Sequence, residues 1–268
     1  MTRELSESMI RLMREAGAMM LRAHDVDTES GVTVKPGTAN FVTVYDVMIQ
    51  DFLLSSIKSL IPNAYFIAEE KDNDPSVLQQ EYCFIIDPID GTTNFIHDCR
   101  HSCVSLALFS RGEPVFGAIY HPYLDEMFHA ERGKGAYLNG RPIRVSDRPM
   151  SLGILAYGTA PYYKEQLADK TFALCQELFL SCTDVHRFGS AALDLAGVAA
   201  GRNDLFFEFR LSPWDIAAGY LLITEAGGII TDMQGNAIDF SAPCPVIAAN
   251  PIIYPELLAR ARNYNPSL

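Results

Sequence analysis

The chain has 268 residues, 49% of them hydrophobic and 20% charged, with 33 acidic against 21 basic side chains and a net charge of -12. That suits one globular unit or two joined lobes with a full core, and the acidic balance argues against a duplex nucleic-acid partner, which needs basic surface. No apolar run approaches the ~18 residues of a spanning helix, and Met1 to Glu7 is polar and charged, so the expectation is a cytoplasmic protein without a membrane partner.

Leu5, Met9, Leu12, Met13, Ala16 and Met20 recur at helical spacing and predict an amphipathic helix over residues 3–24. Val32-Thr33-Val34 reads as a short strand entering a Lys35-Pro36-Gly37 turn, whose lysine could reach a phosphate but is better explained as a solvated loop lysine. Phe41 to Val44 predicts another short strand. Val47, Ile49, Leu53, Leu54, Ile57 and Leu60 then predict a helix stopped by Pro62. Asp46 precedes them in a first helical turn, where the dipole favours a carboxylate whether or not it has another role. Tyr65 to Ala68 is a strand that delivers Glu69 and Glu70, and the polar stretch Lys71 to Gln80 reads as a loop.

The aromatic and β-branched run Tyr82 to Ile86 predicts a buried strand with Asp87-Pro88-Ile89-Asp90-Gly91-Thr92-Thr93-Asn94-Phe95 at its end. Pro88 pushes Asp87 toward extended backbone, and Ile89 can offer its carbonyl between the two carboxylates. Two carboxylates and a carbonyl are a hard-oxygen set suited to a divalent cation. Gly91 allows close approach to a ligand, while Thr92 and Thr93 bring hydroxyls and N–H groups of the kind that hold phosphate. Metal and phosphate are therefore expected at one place, and an acidic chain that handles phosphate needs the metal's charge.

Cys103 to Phe109, Val115 to His121 and Glu126 to Ala130 predict strands, and Asn139-Gly140 marks a tight hairpin within Ala136 to Val145, so this half should hold an antiparallel sheet. Beyond about residue 148, strands (Gly153 to Tyr157, Thr183 to Phe188, Asp204 to Phe209) alternate with helices (Lys164 to Leu180, Ser190 to Ala200). Two lobes of one unit, 1–148 and 149–268, follow. Ser190 is a helix cap, and Glu208 is an acid in an apolar strand, where such a residue usually faces water or a partner. Ser212-Pro213-Trp214-Asp215 has the form of a helix start, so capping alone explains Asp215, although its rigid tip can also carry a metal ligand. His97, Cys99, His101 and Cys103 alternate, but their spacing fits no usual zinc pattern.

Three motifs resemble, in order and spacing, the inositol monophosphatase family of lithium-sensitive, magnesium-dependent sugar phosphatases. They are Ala68-Glu69-Glu70, the Asp87 to Phe95 stretch, and Trp214-Asp215-Ile216-Ala217-Ala218-Gly219 running to Glu225-Ala226-Gly227-Gly228. The resemblance implies a layered α-β-α-β-α sandwich, with an antiparallel sheet in the first lobe and a mixed sheet in the second, and usually a homodimer. It implies two or three Mg2+ ions per active site, held by Glu69, Asp87, the carbonyl of Ile89, Asp90 and Asp215, with Asp87 bridging. Thr92, supported by Asp46, and Glu69 would orient and activate water. Asp90 and the N–H groups of Gly91 and Thr92 would meet the phosphate, and Ser190, Ala191 and Glu208 the ring. Arg210 and Leu211 fall where ring selectivity is set.

The expected reaction is hydrolysis of a small phosphate monoester, with myo-inositol monophosphate as the representative substrate. Fructose 1,6-bisphosphate, histidinol phosphate and 3'-phosphoadenosine 5'-phosphate are alternatives within the same chemistry. A non-enzymatic regulatory interaction protein is the alternative of another class, and a metal-free glycosidase using paired carboxylates is a third.

Overall fold

The computed structural model describes residues 2–23, 32–34 and 41–264, so the Lys35 turn lies outside the described residues. Helix α1 (Arg3–Leu21) starts on a Thr2 cap and buries Met9, Met13, Ala16 and Met20, the stripe that its periodicity predicts. β1 (Val32–Val34) and β2 (Phe41–Thr43) pair antiparallel. They lead into α2 (Val44–Leu60), which begins with a reciprocal capping box between Thr43 and Asp46.

Next come β3 (Tyr65–Ala68), β4 (Cys83–Asp90), the short helix α3 (Thr92–Ile96), β5 (Cys103–Ser110), β6 (Glu113–His121), β7 (Glu126–Glu131), β8 (Gly135–Leu138) and β9 (Arg141–Ile143). The seven strands form one sheet in sequence order. β3 pairs parallel with β4, and every later neighbour is antiparallel. Asn139 and Gly140 take φ of 48° and 76°, the positive values that a two-residue hairpin turn needs.

The second half runs β10 (Ile154–Tyr157), α4 (Lys164–Phe179), β11 (Asp184–His186), α5 (Ala191–Ala199), β12 (Leu205–Leu211), α6 (Pro213–Glu225), β13 (Ile229–Thr231), β14 (Cys244–Ala249) and α7 (Tyr254–Ala261). Its five-stranded sheet has the order β11-β10-β12-β14-β13. β10 is parallel to both its neighbours and β14 antiparallel to both of its own, so the sheet is mixed.

Alternating side chains stitch these sheets into five layers. From β4, Phe84 and Ile86 join the core under α1 and α2, whereas Cys83 and Ile85 join the core shared with α5 and α6. From β12, Phe206 enters that same central core, while Phe207 packs with α4 and α7 on the far side. Gly117 is required here: a Cβ would stand 2.9 Å from the carbonyl oxygen of Ala218, so its absence lets the α6 backbone settle directly on β6. Ser105 Oγ of β5, opposite Asp87, donates to the Trp214 carbonyl at 3.3 Å and ties the start of α6 beside the end of β4. Among the described residues no helix is long and apolar enough to cross a membrane.

Two strands outrun their local signals. β4 continues through Asp90 and β12 through Leu211, because pairing with β5 and β14 resumes after a bulge in each. Within Lys71 to Gln80, Pro75–Gln79 forms a short helical turn capped by Asp74, whose Oδ1 accepts from the Ser76 N–H at 2.9 Å.

Candidate active site

The site begins with the irregularity in β4. Asp87 pairs opposite Ser105 and Asp90 opposite Cys103, so two residues, Pro88 and Ile89, face the single Val104. A proline has no N–H for the ladder, and strands accept it at such bulges. In a regular strand, residues three apart point to opposite faces, and the extra residue brings the Asp87 and Asp90 carboxylates to one side. The Ile89 N–H donates to Asp87 Oδ1 at 3.0 Å and holds the local turn.

Asp215 arrives from the first turn of α6. There the Ser212 N–H donates to its Oδ2 at 2.6 Å, the capping contact expected from sequence. One carboxylate oxygen from each of Asp87, Asp90 and Asp215 lies within 4.8 Å of the other two. Asp87 and Asp90 are buried, and Asp215 opens partly onto a cavity of about 420 Å³ that also touches Glu69 and Ile89.

Charges so placed resist ionising together. Burial drives Asp87 well above the ordinary carboxylate range, and the nearby charges of Glu69, Asp90 and Asp215 push it further. Asp215 is raised in the same way by burial, Asp90 and Glu69. Asp90 is raised by burial too, but is partly relieved by hydrogen bonds from Ser190, Ala192 and Ala191 at the start of α5. Oxygen donors converging in a largely buried place fit a divalent cation of the magnesium type, whose charge offsets the mutual repulsion. Glu69 and Ile89, the other donors expected from the resemblance, line the same cavity.

The remaining expected residues border the same cavity, except Asp46, which stands behind Thr92. Thr92 Oγ1 lies 3.1 Å from the Ile89 carbonyl oxygen and 3.4 Å from Asp46 Oδ1. A hydroxyl has one proton, so only one of these acceptors can take it at a time. Asp46 is fixed in turn by the Thr43 N–H, which donates to its Oδ2 at 2.7 Å. Gly91 sits at φ 87°, and a Cβ there would lie 3.1 Å from the His101 carbonyl and 3.2 Å from that of Gly189. Glycine alone suits that tight, left-handed junction. Asn94 Nδ2 donates to the carbonyls of His101 and Phe188, each at 2.7 Å, and ties the turn to the segment that precedes α5.

Beside Asp90, Ser190 caps α5 and gives its hydroxyl to that carboxylate, with Ala191 next in the chain. Glu208 does not face bulk water: it is buried, lines the cavity, and accepts from the Ala160 N–H at 2.8 Å. A Cβ on Gly158 would come within 1.8 Å of its carboxylate, so that glycine makes the space it occupies. Burial raises Glu208 to about 7.

Asp194, Tyr162 and Arg187 also border the cavity and were not expected there. Asp194 is buried, is raised well above the carboxylate range by burial and then by Glu208, and leaves Oδ1 without a hydrogen-bond partner among the described residues. The sequence did carry a signal for it, a charge in the otherwise apolar run Ala191-Ala192-Leu193-Asp194-Leu195. Of the alternating histidines and cysteines, Cys103 is buried with its Sγ 3.8 Å from Asp90 Oδ2, and Cys99 is exposed.

Layered architecture and acid cluster together define a sandwich of the sugar-phosphatase type. A sequence profile of the inositol monophosphatase family matches residues 1–265, and the chain belongs to that family. A relative named Nus factor SuhB, from Escherichia coli strain K12, is 38% identical over 255 residues, covering 95% of this chain and 94% of its own. The extragenic suppressor protein suhB of Bartonella henselae superposes with a TM-score of 0.88 at 34% identity, over 97% of this chain and 98% of that one. An inositol monophosphatase from Anabaena gives 0.82 at 34% identity, over 98% and 96%.

Proposed function

We propose that this chain hydrolyses a small phosphate monoester of a sugar or cyclitol, with myo-inositol monophosphate as the representative substrate and magnesium as the metal. The observation that carries this reading is the convergence of Asp87, Asp90 and Asp215 within 4.8 Å on a cavity bordered by Gly91, Thr92 and Glu208. Asp87, Asp90, Asp215, Glu69 and the Ile89 carbonyl would hold the ions. When bound, divalent ions supply the positive charge that a phosphate dianion needs and lower the pKa of water.

The chain's own groups would do the rest. Thr92 Oγ1, tied to Asp46 and Ile89, fixes the direction of a hydrogen bond to the attacking water, and the Glu69 carboxylate accepts that water's proton. The N–H groups of Gly91 and Thr92 receive phosphate oxygens. Ala191 and Glu208 meet the ring, with the Glu208 carboxylate accepting from a hydroxyl. Alignment and charge compensation account for most of what phosphate transfer requires.

The test is phosphate release from a panel of sugar, cyclitol and nucleotide phosphates, with and without chelator. Metal-dependent release from sugar or cyclitol monophosphates is expected. Release from none of them, or glycoside cleavage that survives chelation, would overturn the reading.

A second reading comes from the name Nus factor on relatives of 38% identity. That name supports a regulatory role, and it leaves the expectation against nucleic-acid partners without support. A cellular phenotype that persists in Asp90→Asn, after hydrolysis is lost, would favour it.

A further inference from the structure

Of the arginines that border the cavity, one has neither a hydrogen-bond nor an ion-pair partner among the described residues. Arg210 borders the same cavity two residues after Glu208, and its guanidinium lies over the Tyr163 ring, 4.5 Å from the centroid. Its Nε is buried and has no hydrogen-bond partner, and no ion pair engages it among the described residues. The positive charge felt by Glu208 and Asp194 is that of Arg187, which also donates to Thr159 Oγ1 at 3.2 Å. Arg210 has no such partner among the described residues.

Its place is set by backbone. β12 pairs Glu208 with Val246 and Leu211 with Cys244, so Phe209 and Arg210 together face Pro245. The bulge buries Phe209 in the core under α4 and α7 and leaves Arg210 on the cavity. Stacking on Tyr163 limits the side chain's rotamers while leaving the edges of the planar guanidinium free. That edge is a fork suited to two oxygens of a phosphate or carboxylate. The Nη groups, which make no hydrogen bond among the described residues and are not buried as Nε is, are the donors that such oxygens can reach. A cavity of about 420 Å³ falls within the ~300–1,000 Å³ usual for small-molecule sites.

We propose that Arg210, stacked on Tyr163, forms a second anion subsite in this cavity, so that the preferred substrate carries a phosphate or carboxylate group remote from the phosphate that is cleaved. This rests on the phosphatase reading above and narrows it. A neutral ring leaves the Nη groups of Arg210 without an anion, and a ring with a second anion supplies one. Arg210 here sets specificity and takes no part in bond breaking.

Three substrates on one scaffold test it: glucose 1-phosphate, glucose 1,6-bisphosphate and glucuronic acid 1-phosphate, which differ at carbon 6 in being neutral, phosphorylated or carboxylated. With magnesium, at least one of the anionic pair is expected to exceed glucose 1-phosphate in kcat/KM by about tenfold or more, and the better of the two identifies the anion. Arg210→Gln should bring that ratio close to one, and Arg210→Lys should keep part of it. Equal kcat/KM for all three, or a preference that survives Arg210→Gln, would overturn the proposal.

Absence of phosphate release from all three and from myo-inositol monophosphate would instead sink the phosphatase reading. Calorimetric binding then decides the subsite separately. Glucose 1,6-bisphosphate or glucuronic acid 1-phosphate binding more tightly than glucose 1-phosphate, with the difference lost in Arg210→Gln, supports it, and any other pattern overturns it. Unchanged thermal melts of the variants would show that the loss is not one of folding.

Discussion

The cavity has two walls built by the same device and finished with different chemistry. In β4 a bulge opposite Val104 turns Asp87 and Asp90 to one side, and in β12 a bulge opposite Pro245 puts Glu208 and Arg210 on the cavity. The first wall gathers like charges that repel one another, and so it is suited to cations. The second holds Glu208, an acid that burial raises to about 7, and an arginine without an ion pair among the described residues, and so it is suited to reading a substrate. A bulge decides where side chains point, and the residues placed on it decide what they bind.

Removing a charge from the first wall should have the largest effect. Asp90→Asn keeps an oxygen for the Ser190 hydroxyl and the Ala192 N–H but loses the negative charge. Phosphate release is expected to fall by about a thousandfold or more, while the fold persists in circular dichroism. A variant that retains a tenth of wild-type activity would break the contrast between the walls.

Glu208→Gln probes the second wall through pH. The carboxyl is raised to about 7 in the folded protein from an ordinary value of 4.5, so no cost exists below 4.5, and stability falls as pH rises through 7. At ~1.4 kcal/mol for each pH unit of difference, the variant should be more stable than wild type by about 3 kcal/mol above pH 7, and equal to it near pH 4. Denaturant unfolding in chelator at both pH values measures this. The same gap at both would deny Glu208 its buried, protonated state.

Gly91→Ala strains the turn that joins the walls. An alanine there must adopt φ 87° and crowd the carbonyls of His101 and Gly189, at an expected cost of about 1–3 kcal/mol in thermal unfolding. Away from both walls, Glu113→Gln removes the exposed pair with Arg132 and should change stability by less than about 0.5 kcal/mol.

Periodicity and turn chemistry made much of the architecture legible: the methionine stripe of α1, the Asn139-Gly140 hairpin and the capping acid Asp215 all rest on local rules. The bulges were not legible. Continuation of β4 past Pro88 depends on β5, and that of β12 past Phe209 depends on β14, partners that no local window contains. Glu208 read as an acid facing water or a partner because its burial depends on a glycine fifty residues earlier, Gly158. Asp194 was passed over because a buried helix turns its carboxylate into the cavity, a placement set by packing against both sheets.

The central claim is that Asp87, Asp90 and Asp215 converge to hold divalent cations. Thermal unfolding with increasing magnesium tests it without reference to any substrate, because an ion that binds only the folded state raises the melting temperature. Wild type is expected to gain several degrees at millimolar magnesium, and Asp215→Asn to gain little. A wild-type melt indifferent to magnesium, or a variant that responds as wild type does, would contradict the account.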